Sequence, residues 1–134
     1  MDLEILKIAS NSENHKKLKK HTHYSKLNNP ICGDEMQISL IVKNEKITDF
    51  TYQCKSCIYC QASVSLLSRK SINKKIINIK NLINLAETFF DKSESNLPKD
   101  WIVFNKILNI NNLPRKECIL LPFKALSKAL KSYK

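Results

Sequence analysis

The chain has 134 residues, a length that suits one domain, 1–134, with a core of its own. It is 43% hydrophobic and 26% charged, and no apolar run reaches the roughly 18 residues of a membrane span, so a transmembrane protein is excluded. The formal net charge is +11, yet only Arg69 and Arg115 among 23 cations are arginine. Groove reading and base stacking rely on the planar guanidinium, so this charge reads as a lysine-rich background and no specific nucleic acid is expected. Acids at Asp2 and Glu4 and the lack of an apolar leader point to a cytoplasmic protein.

In chain order, Leu3, Leu6 and Ala9 predict a short helix. A polar, basic segment from Ser10 to Asn29 follows, holding His15, His21 and His23, of which His21 and His23 are candidate metal ligands expected instead in solvent, and Asn29-Pro30 signals a turn. Met36, Ile38, Leu40 and Val42 alternate as a half-buried strand. Asn44-Glu45 makes a tight turn into a second strand, Ile47 to about Gln53, with Phe50 and Tyr52 on one face. Four helical stretches complete the pattern. The first runs from Ser56 to Lys70, the second from about Ile79 to Phe90 with Asn78 as N-cap. After a loop over 91–96, Pro98 opens a third, with Trp101, Phe104, Ile107 and Leu108 inward, and Leu113-Pro114 breaks it. The last starts just after Cys118, takes Pro122 in its opening turn and turns Leu126, Ala129, Leu130 and Tyr133 inward. The fold class is α+β: a small antiparallel sheet, hairpin-based and of about three strands, against four to five helices.

Five cysteines accompany a single glycine. An odd count in a cytosolic chain argues against a disulfide framework and for metal or thiol chemistry. Cys32 and Asp34 flank Gly33, where a sharp bend can aim both side chains at one point. Cys57 and Cys118 each lie at a helix start near the cations Lys55, Arg115 and Lys116, a setting that favours thiolate. Three cysteines and an aspartate suit tetrahedral zinc and equally a small iron-sulfur cluster with one oxygen ligand.

These residues resemble the U-type iron-sulfur cluster assembly scaffolds: the NifU N-terminal domain, IscU and SufU. Asn29-Pro30-Ile31-Cys32-Gly33-Asp34-Glu35 is similar to the first cysteine motif. The run from Ser56 to Ser65 is similar to the second, and that from Arg115 to Leu126 to the third. The resemblance implies that Cys32, Asp34, Cys57 and Cys118 bind a transient 2Fe-2S cluster or zinc, and that one thiolate, Cys32 first, accepts persulfide sulfur from a cysteine desulfurase. Recipient apoproteins would then take the cluster from a monomer or weak homo-oligomer. The long interval between Cys57 and Cys118, and Arg115 before the last cysteine, look closer to SufU. IscU has a histidine where Glu117 stands, and its proline-valine-lysine chaperone signal is absent after Leu113-Pro114.

Cys54 and Cys60 depart from that pattern. Cys60, one helical turn from Cys57, reads as a spare ligand, a thiol relay or core filler; Cys54 reads as buried at a strand end. The Cys54, Cys57, Cys60 run is also that of a basic zinc-knuckle module, which salt-sensitive binding would reveal. No acid–base pair or nucleophile triad is evident, so a scaffold or sulfur carrier is expected instead of an enzyme.

Overall fold

The computed structural model describes residues 3–30, 33–91 and 97–131. Helix α1 spans Leu3–Ala9, strand β1 His23–Asn28, β2 Glu35–Lys43 and β3 Lys46–Lys55. Helices α2, Ile58–Ser71, and α3, Ile76–Phe89, follow, then 3₁₀ helices Lys99–Lys106 and Ile110–Arg115, and finally α4, Lys116–Leu130. The three strands form one antiparallel sheet in the order β1-β2-β3, so the α+β reading holds.

The β2-β3 hairpin forms because its apolar residues alternate. Met36, Ile38, Leu40 and Phe50 are fully buried, with Leu40 opposite Phe50 and Ile38 opposite Tyr52. Its turn places both Asn44 (φ 52) and Glu45 (φ 64) in the left-handed region, as a two-residue hairpin turn with right-handed strand twist requires. Helices α2 and α4 cover the apolar face; α1 packs on α2, and α3 on α4.

Strand β1 is the element that periodicity missed, because its inward residues, His23 and Ser25, are polar. Ser25 is satisfied by donating to the Ala125 carbonyl of α4 (2.6 Å), and Thr22 Oγ1 lies 2.8 Å from His23 Nδ1. His23 is thus a core residue. Burial lowers its pKa from 6.5, so the unfolded chain takes up its proton first as pH falls. The His23 contribution to stability is therefore complete above pH 6.5 and is lost as pH falls through the lower folded value. A His23→Gln variant should show a smaller drop in urea midpoint between about pH 7.5 and about pH 5.5 than the parent.

The segment before β1 is polar yet fastened. Tyr52 N–H donates to the Asn14 carbonyl (3.0 Å), Ser65 Oγ to the Asn11 carbonyl (2.7 Å) and Asn14 Nδ2 to Ser68 Oγ (3.1 Å). His15 stacks on Tyr52, and its Nε2 accepts from the Cys54 N–H at 3.4 Å, so this segment covers the open edge of β3.

Four boundaries or faces differ from expectation. In α1 the buried residues are Ile5 and Ile8, while Leu3 and Leu6 are exposed, because the face that meets α2 is the i, i+3 pair two residues along. Helix α3 starts at Ile76 with Lys75 as N-cap, which leaves Asn78 inside. The Trp101 segment is 3₁₀ with Pro98 as its cap, and Pro114 lies inside a second 3₁₀ helix. Helix α4 begins before Cys118, so Pro122 falls in its second turn; it is tolerated there, although it cannot donate to the Cys118 carbonyl four residues back. Tyr133 and the loop over 92–96 lie outside the described residues. Among those described, no helix is long and apolar enough to cross a membrane.

Candidate metal centre

Three donors meet where one sheet end and two helix starts converge. Asp34 sits in the β1-β2 turn, whose shape is held by the Gly33 N–H to the Asn29 carbonyl and the Asn29 N–H to the Asp34 carbonyl, both 2.8 Å. Gly33 has φ +76, while a Cβ there would meet no atom within 4 Å. The glycine therefore answers a backbone need, not a lack of space. Cys57 is the N-cap of α2 with an extended backbone (φ −70, ψ 168) and makes no side-chain cap bond. Cys118 lies in the first turn of α4 and is buried.

One ligand atom each from Asp34, Cys57 and Cys118 lies within 4.8 Å of the other two. The positive ends of α2 and α4 face this point, where they stabilise anionic donors. Asp34 is 8% exposed and its Oδ2 is buried with no hydrogen-bond partner. A buried carboxylate oxygen left unpaired costs free energy that a bound cation would offset. Two thiols and a carboxylate are also a donor set that suits zinc or iron.

The helices are locked in register by a serine. Ser63 Oγ of α2 donates to the Ile119 carbonyl of α4 (2.7 Å), next to Cys118. Helix α2 is buried nearly all round, and Ser63, Ser65 and Ser68 let it be so by spending each hydroxyl on a carbonyl.

Cys32 lies outside the described residues. Cys60 is fully buried and, with Cys54, stands outside the three-donor group. Burial pushes the Cys60 thiol far above its ordinary value; the Ser56 hydroxyl opposes this, and Cys54, Asp34 and Cys57 add to it. Cys54 is half-buried and its thiol is raised by burial, again opposed by Ser56. Ser56 Oγ is buried without a well-formed hydrogen bond and lies near both sulfurs. Arg115 is exposed and lies over the Tyr59 ring (5.4 Å), bridging the start of α4 to that of α2. Ser56 and Tyr59 were not singled out by sequence reasoning; their adjacency to cysteines was the available signal. Among the described residues no histidine joins the donor group.

The model of the NifU-like N terminal domain matches residues 2–134. The chain belongs to that family. It is 30% identical over 133 residues to the Thermotoga maritima iron-sulfur cluster assembly scaffold protein IscU, covering 95% of this chain and 89% of the relative. It is 24% identical over 108 residues to the Bacillus subtilis zinc-dependent sulfurtransferase SufU, covering 78% of this chain and 71% of that one. A Fervidobacterium islandicum protein described as a scaffold for the SUF system superposes with a TM-score of 0.89 at 23% identity, over 97% of this chain and 96% of the other. A NifU-like N-terminal domain from Brucella abortus gives the same TM-score at 19% identity, over 98% and 92%. At these identities the structural matches establish the fold.

Proposed function

We propose that this NifU-family chain is an iron-sulfur cluster assembly scaffold. It receives sulfur from a cysteine desulfurase, holds iron and a transient 2Fe-2S cluster as cargo, and passes the cluster to apoproteins. The observation that carries this reading is the convergence of Asp34, Cys57 and Cys118 with an unpartnered Asp34 oxygen. Cys32 is the proposed fourth donor and first persulfide acceptor, on the ground of its place beside Gly33 and Asp34 in the sequence. The chain works in the cytosol as one domain, and turnover belongs to the desulfurase.

Asp34 has a specific part in release. A carboxylate is a harder and weaker ligand for an iron-sulfur centre than a thiolate, so one oxygen corner keeps the cargo exchangeable. Anaerobic reconstitution with iron, sulfide and a desulfurase should give a brown protein, and Asp34→Ala should surrender its cluster to an apo-ferredoxin several-fold more slowly. Equal transfer rates would remove the proposed role of Asp34.

A second reading is a zinc-dependent sulfur acceptor, in which Zn²⁺ holds the thiolates until docking frees one. It draws support from the compactness of the donors: a spread within 4.8 Å is close to the edge of about 3.8 Å between two thiolates on one tetrahedral zinc. Stoichiometric, tightly held zinc and no colour after reconstitution would select this reading.

A further inference from the structure

Cys60 stands outside the metal centre, three residues from Cys57, one of its donors. Cys57 and Cys60 form a Cys-Ile-Tyr-Cys run whose first member caps α2 and whose second lies in its first turn. In dithiol oxidoreductases the first thiol of such a run sits accessible at a helix N-terminus and the second is covered. The same inequality holds here: Cys57 is half-buried, while Cys60 is 0% exposed. Side chains three apart at a helix start are neighbours, about 5–6 Å between their Cβ atoms. A disulfide needs a Cβ separation of roughly 3.5–4.5 Å. Cys57 can make up the difference because its backbone is extended, and no cap bond ties its side chain down. The buried Ser56 hydroxyl, without a partner of good geometry, lies near Cys60 and Cys54 and can hold a proton donor against a sulfur during exchange.

We propose that Cys60 is a resolving thiol that reduces sulfane sulfur carried on Cys57 to sulfide beside the metal centre. This rests on the sulfur-receiving function proposed above. Sulfur reaches Cys57 when the Cys57 thiolate attacks the outer sulfur of a donor persulfide and the donor sulfur departs as thiolate. Cys60 Sγ then attacks Cys57 Sγ. The bond from Cys57 to the outer sulfur breaks, and its electron pair leaves with that sulfur as HS⁻, which takes the Cys60 proton and departs as H₂S. The two thiol sulfurs supply the two electrons and end as a Cys57–Cys60 disulfide. A dithiol reductant in the cell restores both thiols by exchange and is itself oxidised to a disulfide. Sulfur would thus be delivered from Cys57 at the oxidation level of a cluster's bridging sulfide, with Cys60, which is not one of the three converging donors, as the resolving thiol.

The test uses the full chain, reduced, freed of metal, loaded anaerobically with sodium polysulfide, desalted and digested with trypsin. Cleavage after Lys55 and Arg69 leaves Cys57 and Cys60 together on the peptide Ser56–Arg69 and separates them from Cys54. In the parent this peptide should be lighter by about 2 Da, the two hydrogens lost on bridging. In Cys60→Ser it should instead be heavier by about 32 Da, with persulfide occupancy of Cys57 about tenfold above the parent, and sulfide should appear only on adding dithiothreitol. A bridge joining Cys54 to Cys57, seen as two linked peptides, would overturn the assignment of Cys60. Sulfur retained equally by parent and variant would end the relay and leave the sulfur-receiving function standing. No sulfur on Cys57 in either protein would remove the relay together with sulfur receipt at that residue. The parent digest reads the bridge without any substitution, so a poorly folded variant does not blunt the test.

Discussion

Cys118→Ser should abolish stoichiometric metal retention while leaving the fold intact. Cys118 is buried in the first turn of α4 and is one of two thiols in the described donor group. A serine hydroxyl of nearly the same shape does not ionise in this range and offers zinc or iron no soft anionic donor. Removing even an outer partner of a metal ligand costs about 10–100-fold in affinity, so loss of a direct thiolate should exceed roughly 100-fold. Elemental analysis after gel filtration, together with chelator competition, measures this. The urea midpoint of the metal-free variant should stay near that of the metal-free parent, since no core volume is lost. Retention of metal at the parent stoichiometry and affinity would exclude Cys118 from the centre. Glu117→Gln is the matched control: Glu117 is exposed, its carboxylate 3.7 Å from Lys124, and binding should be unchanged.

Phe104→Ala should be the most damaging core substitution for stability. Phe104 is fully buried and stands in the middle of a row of rings, with Trp101 and Phe123 each 6.0 Å away in edge-on geometry. Truncating such a ring costs about 3–5 kcal/mol through lost transfer energy and the cavity it leaves. Each edge-to-face contact adds roughly 0.5–1.5 kcal/mol beyond burial. Against a total stability of about 5–15 kcal/mol this is a large share, and a fall in Tm of roughly 10 °C or more is expected. Urea denaturation checks the value, and a loss below about 1 kcal/mol would mean that the site collapses around the missing ring. The effect bears on function because Phe123 belongs to α4, the helix that also carries Cys118.

The hairpin was legible residue by residue. Alternation from Met36 to Val42 and the Asn44-Glu45 turn are local signals, and both positive φ values fall where the turn chemistry requires them. The serine-rich helix α2 was legible in extent but not in burial. Its side chains look half polar, and only its hydrogen bonds to Asn11 and Ile119 carbonyls explain how it lies at the centre. His23 and Ser25 hid β1 for the same reason, since their inward placement depends on partners in α4 and on Thr22. The Trp101 segment showed its apolar residues, yet i, i+3 spacing at Trp101 and Phe104 fits an α-helix and a 3₁₀ helix alike, and packing decided between them.

By itself the sequence determined the class of chemistry, the order of the elements apart from β1, and which residue types were available as donors. Those follow from composition, from periodicity over a few residues and from motifs whose parts are adjacent. The tertiary structure decided which donors meet. Asp34, Cys57 and Cys118 come from a turn and two helix starts far apart in the chain, and only the packing of α2 and α4 on the sheet brings them within 4.8 Å. It also fixed the exposure of the described cysteines, which the sequence had sorted only into proposed ligands and an excess of Cys54 and Cys60. Burial depends on every element around a residue, and it placed Cys60 wholly inside beside a half-covered Cys57.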